Sequence, residues 1–242
     1  MNRRIGITFL VFLFTLGAWV QLRASPPNLG VVVQSATYDP VKHEIAVRFY
    51  NSTRHDVTAY HYLLRIDYAD GTSQVEDRGS ELAVDPTYPG SFLHADNTRE
   101  EHLIEPFITK DVKRVVGLVD VVAYDDGTAE VVNETAFNSM VDTRKARAAA
   151  SQKVNETLKK SFSADNPGQD ALSKLHELIK TYDKGLQQDV QDAAMMEQLQ
   201  MAIQNLQVQS GPLTSDRLHG YVKQRDEGLP AMKFHSELRR IK

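Results

Sequence analysis

Apolar and polar positions alternate with a period of two through most of residues 29–132, and with a period of three to four from Thr135 onward. The first period is that of strands with distinct faces, the second that of amphipathic helices. The clearest stretch is Val112–Val132, in which two Val-rich arms flank Asp126-Gly127. Asp-Gly between alternating apolar runs predicts a two-residue β-hairpin turn. Val116, Leu118, Val122 and Tyr124 alternate against Val115, Val119, Val121 and Ala123, so the strand is apolar on both faces and is expected in the middle of a sheet. The stretch has an echo: IDYADGTSQVE at Ile66–Glu76 aligns with VAYDDGTAEVV at Val122–Val132.

Further strands are predicted at Leu29–Thr37, His43–Tyr50 and Val57–Tyr68. The last turns at Asp70-Gly71 into Thr72–Glu76. Short ones are expected around Ser91–His94 and Glu101–Ile108. From Phe137 the spacing predicts a helix to Phe162, broken by Ser163–Pro167. Leu172, Leu175, Ile179, Tyr182, Leu186, Val190, Ala193, Met196, Leu199, Ile203 and Leu206 then form one narrow stripe, the pattern of a coiled-coil seam. Gly185 within it is a candidate kink or break. Two shorter helices, Ser215–Glu227 and Ala231–Lys242, are expected on either side of Gly228-Leu229-Pro230. The expected fold class is α+β: an N-terminal antiparallel immunoglobulin-like β-sandwich over residues 26–134, then an α-helical region over 135–242 with a long coiled-coil-like helix.

The succession of strand, turn, strand, long aromatic strand and Val-rich strand closing on Tyr124–Thr128 resembles the immunoglobulin/fibronectin-III-like domains of exported bacterial proteins of unassigned role, over residues 29–134. The resemblance implies a fold and a location and carries over no catalytic residue. The Cys…Trp…Cys signature of immunoglobulin domains is absent, because the chain has no Cys and its single Trp is Trp19.

Composition narrows the function. Absence of Cys excludes disulfides, Cys-ligated zinc, a thiol nucleophile and a lipoprotein anchor. The net charge of −4 is uneven: residues 26–135 carry −10 and residues 136–242 carry +3. An acidic front half does not suit nucleic-acid binding. Met1–Ser25 has a basic start at Arg3-Arg4, an apolar run at Ile5–Val20 and a short polar end, the layout of an export signal. Cleavage is expected after Ala24; if residues 5–20 are retained, they form a membrane anchor. Export without Cys points to a bacterial periplasm or cell envelope.

Candidate chemistry is sparse. His94, Asp96, Glu101 and His102 put two imidazoles and two carboxylates within nine residues, types that bind zinc or manganese when a fold gathers them. His43, His55 and His61 are read as surface residues. Asp120 falls among apolar neighbours and is read as an edge position or a bulge that turns it outward, the alternative being a buried carboxylate paired with Arg48, Arg65 or a tyrosine hydroxyl. No nucleophile motif or phosphate-binding loop is present, and no cofactor is expected. The expected function is a non-catalytic exported interaction module that contacts a partner protein, or a second copy, through the helical stripe. The alternatives are a metal-binding protein or metal-dependent enzyme using His94–His102 and a membrane-anchored accessory subunit.

Overall fold

The structure, a computed structural model, describes residues 29–81, 93–208 and 213–241. The described chain divides into a β unit and an α unit, with the division at Asn133/Glu134. In chain order the strands are β1 Val31–Asp39, β2 Glu44–Asn51, β3 Val57–Tyr68, β4 Ser73–Glu81, β5 Thr98–Ile104, β6 Val112–Tyr124, β7 Thr128–Val131 and β8 Arg239–Arg240. They form a three-stranded sheet, β1-β2-β5, and a five-stranded sheet, β4-β3-β6-β7-β8. One of the two curls as a half-barrel.

The core of the β unit is built from Ile45, Val47 and Phe49 of β2, Tyr60, Tyr62, Leu64 and Ile66 of β3, and Val115, Val119, Val122 and Tyr124 of β6. Phe49 packs on Tyr60 and Tyr62 with ring centroids 4.4 and 4.9 Å apart, at tilted and edge-on angles that suit aromatic quadrupoles. Both Asp-Gly turns have the same bonding. Asp70 Oδ1 accepts from Thr72 N and Oγ1, and Asp126 Oδ1 accepts from Thr128 N and Oγ1. Gly71 and Gly127 take φ of 83° and 77°, the left-handed region where a Cβ is disfavoured.

The α unit has four helices: α1 Glu134–Lys159, α2 Pro167–Tyr182, α3 Val190–Val208 and α4 Ser215–Ser236. Helix α1 packs against α2, α3 and α4. Val154, Leu158, Ala171, Leu175, Leu199, Ala202 and Leu218 are fully buried at their centre. Asn166 caps α2 by accepting from Gln169 N, and Pro167 opens its first turn, where a missing N–H costs nothing.

The expected fold class is corrected. The described residues combine sheets of three and five strands with four helices, and no long coiled-coil helix is present among them. The β unit is not closed within residues 26–134, because β8 arrives from Arg239–Arg240. The stripe from Leu172 to Leu206 is cut at Gly185, whose φ is 58°, by a 3₁₀ turn at Gly185–Gln187. The two resulting helices face their apolar sides into a shared bundle core, so periodicity alone does not distinguish one long seam from two helices of a bundle. Two smaller expectations also change. α4 runs unbroken through Pro230, and around Ser91–His94 the described part is one isolated bridge, Val57 to Leu93. No helix among the described residues is long and apolar enough to cross a membrane. The run Ile5–Val20 lies outside them.

Candidate functional site

The four metal candidates lie on or beside β5, and each is bonded to a different partner. His94 Nδ1 is 2.9 Å from Asp56 Oδ2, Asp96 Oδ1 accepts from Tyr50 OH at 2.5 Å, and His102 Nδ1 is 2.8 Å from Glu44 Oε1. Glu101 turns inward from β5 and accepts from the hydroxyls of Tyr60 and Tyr62, at 2.6 and 2.9 Å. Burial, followed by the Glu101 carboxylate, pushes both phenols far above their usual range. These tyrosines therefore stay protonated and act as donors. Among the described residues, the only grouping of three ligand-type atoms within 4.8 Å of one another is elsewhere: His55 of the β2–β3 loop with Asp125 and Asp126 of the β6–β7 turn.

The polar cluster set deepest in the β unit is centred on His61. β3 is buried on both faces from Val57 to Leu64. The partner strand β6 presents Gly117 and Val119 toward the core, then Val122 and Tyr124, so its alternation slips by one residue. The slip is a bulge: His61 pairs with Val121 and Tyr62 with Val119, which leaves Asp120 as the extra residue. His61 is 9% exposed and Asp120 1%. His61 Nδ1 lies 2.5 Å from Asp120 Oδ1, and its Nε2 lies 2.5 Å from Asp77 Oδ1 on the edge strand β4. Asp120 Oδ2 accepts from Asn133 Nδ2 at 2.9 Å. Burial alone pulls the imidazole down, but the bonds and charges of Asp120 and then Asp77 outweigh it, and the histidine titrates above its usual range. With both nitrogens donating to carboxylates, His61 has no lone pair to act as a general base.

His61, read as a surface residue, is inside, and Asp120 sits at a bulge that does not turn it outward: it is a buried carboxylate. Its partners are His61 and Asn133 rather than Arg48, Arg65 or a tyrosine. The available signal was one charged-type residue inside each of two largely apolar runs, His61 within Val57–Leu64 and Asp120 within Val115–Tyr124.

In the α unit, Leu175, Leu199 and Leu206 are buried, and Leu172, Ile179, Tyr182 and Ile203 pack partly buried against them. Val190 is half exposed; Leu186 is in the 3₁₀ turn, and its side chain lies outside the description. Ile179 and Ile203, with His176, Gln200, Gln204 and Gln207, line a shallow open groove. Within the α unit Arg225 is fully buried. It donates to Asn155 Oδ1 (2.5 Å), Ser151 Oγ (2.8 Å), Gln198 Oε1 and Tyr221 OH (both 3.2 Å), all neutral acceptors.

The least covered apolar surface is on the β unit, at the end of the three-stranded sheet where β1 turns into β2 and β5 leaves for β6. Val41, Ile104 and Phe107 are 89%, 74% and 90% exposed there. The pairing of Glu44 with Ile104 and the bond from Glu105 N to His43 O bring the two loops together. Tyr38, Pro40 and His43 from one side and Ile108–Val112 from the other line a cleft between them.

No protein-family model matches the chain, and no curated protein matches it.

Proposed function

We propose that this chain is a non-catalytic module that binds another protein through the loop end of its three-stranded sheet, and that it works after export to the cell envelope. The observation that carries the reading is the exposure of Val41, Ile104 and Phe107 on two loops that the bond from Glu105 N to His43 O holds together. Single exposed apolar residues are ordinary, but three of them on adjoining loops have the character of a contact patch. A non-catalytic role is supported by the state of the polar side chains: His61 has both nitrogens committed, and the His94–His102 residues are bonded to separate partners. The export part rests on the basic, apolar and polar zones of Met1–Ser25. The stripe from Leu172 to Leu206 is largely used inside the α unit, so the contact surface is placed on the loops instead.

The test compares the full chain with a Val41→Ser, Phe107→Ser double variant. Proteins crosslinked to each in envelope extracts are quantified by mass spectrometry, and self-association is measured by sedimentation. Both side chains are exposed, so the variant keeps wild-type stability to within about 0.5 kcal/mol. Loss of a specific crosslinked species in the variant supports the reading. Identical crosslinked species and identical sedimentation for both chains refute it.

A further inference from the structure

A neutral imidazole has one N–H and one lone pair, so it donates to only one of two carboxylates; only the imidazolium donates to both. His61 lies between Asp120 Oδ1 and Asp77 Oδ1, at 2.5 Å from each. Asp120 in turn holds the exit from β7 into α1. Its Oδ2 accepts from Asn133 Nδ2, and its backbone carbonyl accepts from Val132 N at 2.8 Å and Asn133 N at 3.2 Å. The protonation of one buried ring is therefore connected to one strand-to-helix junction through Asp120.

We propose that His61, Asp120 and Asn133 form a pH-gated latch on the β7-to-α1 exit, closed while the imidazole carries both protons and loosened when Nε2 loses its proton. Deprotonation turns the Nε2 lone pair toward Asp77 Oδ1, and the two repel. Asp77 has a ready response, since its side chain is 75% exposed and turns into water. Asp120 has none. At 1% exposure it exchanges a charged donor for a neutral one, and a buried carboxylate held only by neutral donors is costly. It gains solvation by shifting outward, which pulls on the bonds to Val132 and Asn133.

The charged groups facing His61 are Asp120 from β6 and Asp77 from β4; Asn133 from the exit is uncharged. Arg78, beside Asp77, is engaged by Glu76 and Glu105. The folded histidine titrates above its unfolded value of 6.5. The latch's contribution is therefore complete below pH 6.5 and is lost as pH rises through the higher folded value. It opens on the alkaline side.

The experiment uses the full chain. The His61 ring is titrated by NMR, and amide exchange at Val132 and Asn133 is followed over the same range, corrected for the intrinsic pH dependence of exchange. The expected result is a His61 midpoint above 6.5, with protection at both amides falling about tenfold through that midpoint. Asp77→Asn, at an exposed edge position that does not endanger folding, lowers the midpoint and moves the loss of protection with it. A midpoint at or below 6.5, or protection that stays flat while His61 titrates, overturns the latch.

Discussion

Replacing Arg225 with alanine should unlock the α unit. The guanidinium is fully buried and makes four hydrogen bonds, to Asn155, Ser151, Gln198 and Tyr221, with no carboxylate among them. Alanine removes the donor and leaves three side-chain oxygens, those of Asn155, Ser151 and Gln198, buried without it. Each orphaned acceptor costs about 1–3 kcal/mol. Water entering the vacated space satisfies part of that, and the mutant no longer has to desolvate a guanidinium. The expected net loss is about 2–4 kcal/mol, from orphaned neutral acceptors and the vacated space less the relieved desolvation. Methionine at the same position refills the space but not the bonds. It should recover only the cavity part of the loss, so Arg225→Met stays less stable than the parent. Urea unfolding followed by circular dichroism at 222 nm reads the helices directly. If Arg225→Met is as stable as the parent, the guanidinium's bonds contribute nothing net and the reasoning fails.

Two further outcomes test the packing. Leu199 is fully buried and Val190 is 48% exposed, so Leu199→Ala should cost about 2–5 kcal/mol while Val190→Ser stays within about 0.5, by thermal or urea unfolding. Equal effects would mean that the stripe does not face inward as described. A Cβ on Gly117 would meet Val33 Cγ2 at 2.9 Å and Cγ1 at 3.0 Å, so Gly117→Ala should destabilise by about 1–3 kcal/mol, and adding Val33→Ala should recover part of it; additive losses would show that the two positions do not collide.

Much of the β unit was legible because its signals are local. An Asp-Gly pair with a Thr after it specifies the turn by itself, and Ile45, Val47 and Phe49 keep strict alternation in the structure. What was not legible depends on partners distant in sequence. A period-two reading assumes constant phase, and the bulge at Asp120 resets the phase in mid-strand, so Val115 and Val119 share a core face with Val122 and Tyr124 instead of opposing them. Arg239-Arg240 has no apolar signature at all; backbone pairing alone makes it a strand. The reading of Gly228-Leu229-Pro230 as a break fails because α4 is held on both sides of Pro230 by buried side chains, Leu218 and Val222 before it and Met232 after it, which offset the loss of one N–H bond. The four metal candidates were adjacent in sequence, but β5 alternates, sending Glu101 inward to the tyrosines and His102 outward to Glu44.

The late arrival of β8 sets an order of events during synthesis. β7 and β8 are neighbours in one sheet, and Ile241 N reaches back to Ala129 O at 2.9 Å, yet about 100 residues of helix separate them. At typical elongation rates that interval takes roughly 5–20 s. For that time the outer edge of β7 has no strand beside it, and the ribosome-bound chain presents an unpaired ladder to any nascent neighbour. Only four residues of β7 are exposed to this risk, which limits the template, but the same geometry invites exchange: the terminal segment of one molecule is able to complete the sheet of another when chains are crowded. Domain-swapped dimers formed during overexpression, and absent after dilute refolding, would be the signature of that history.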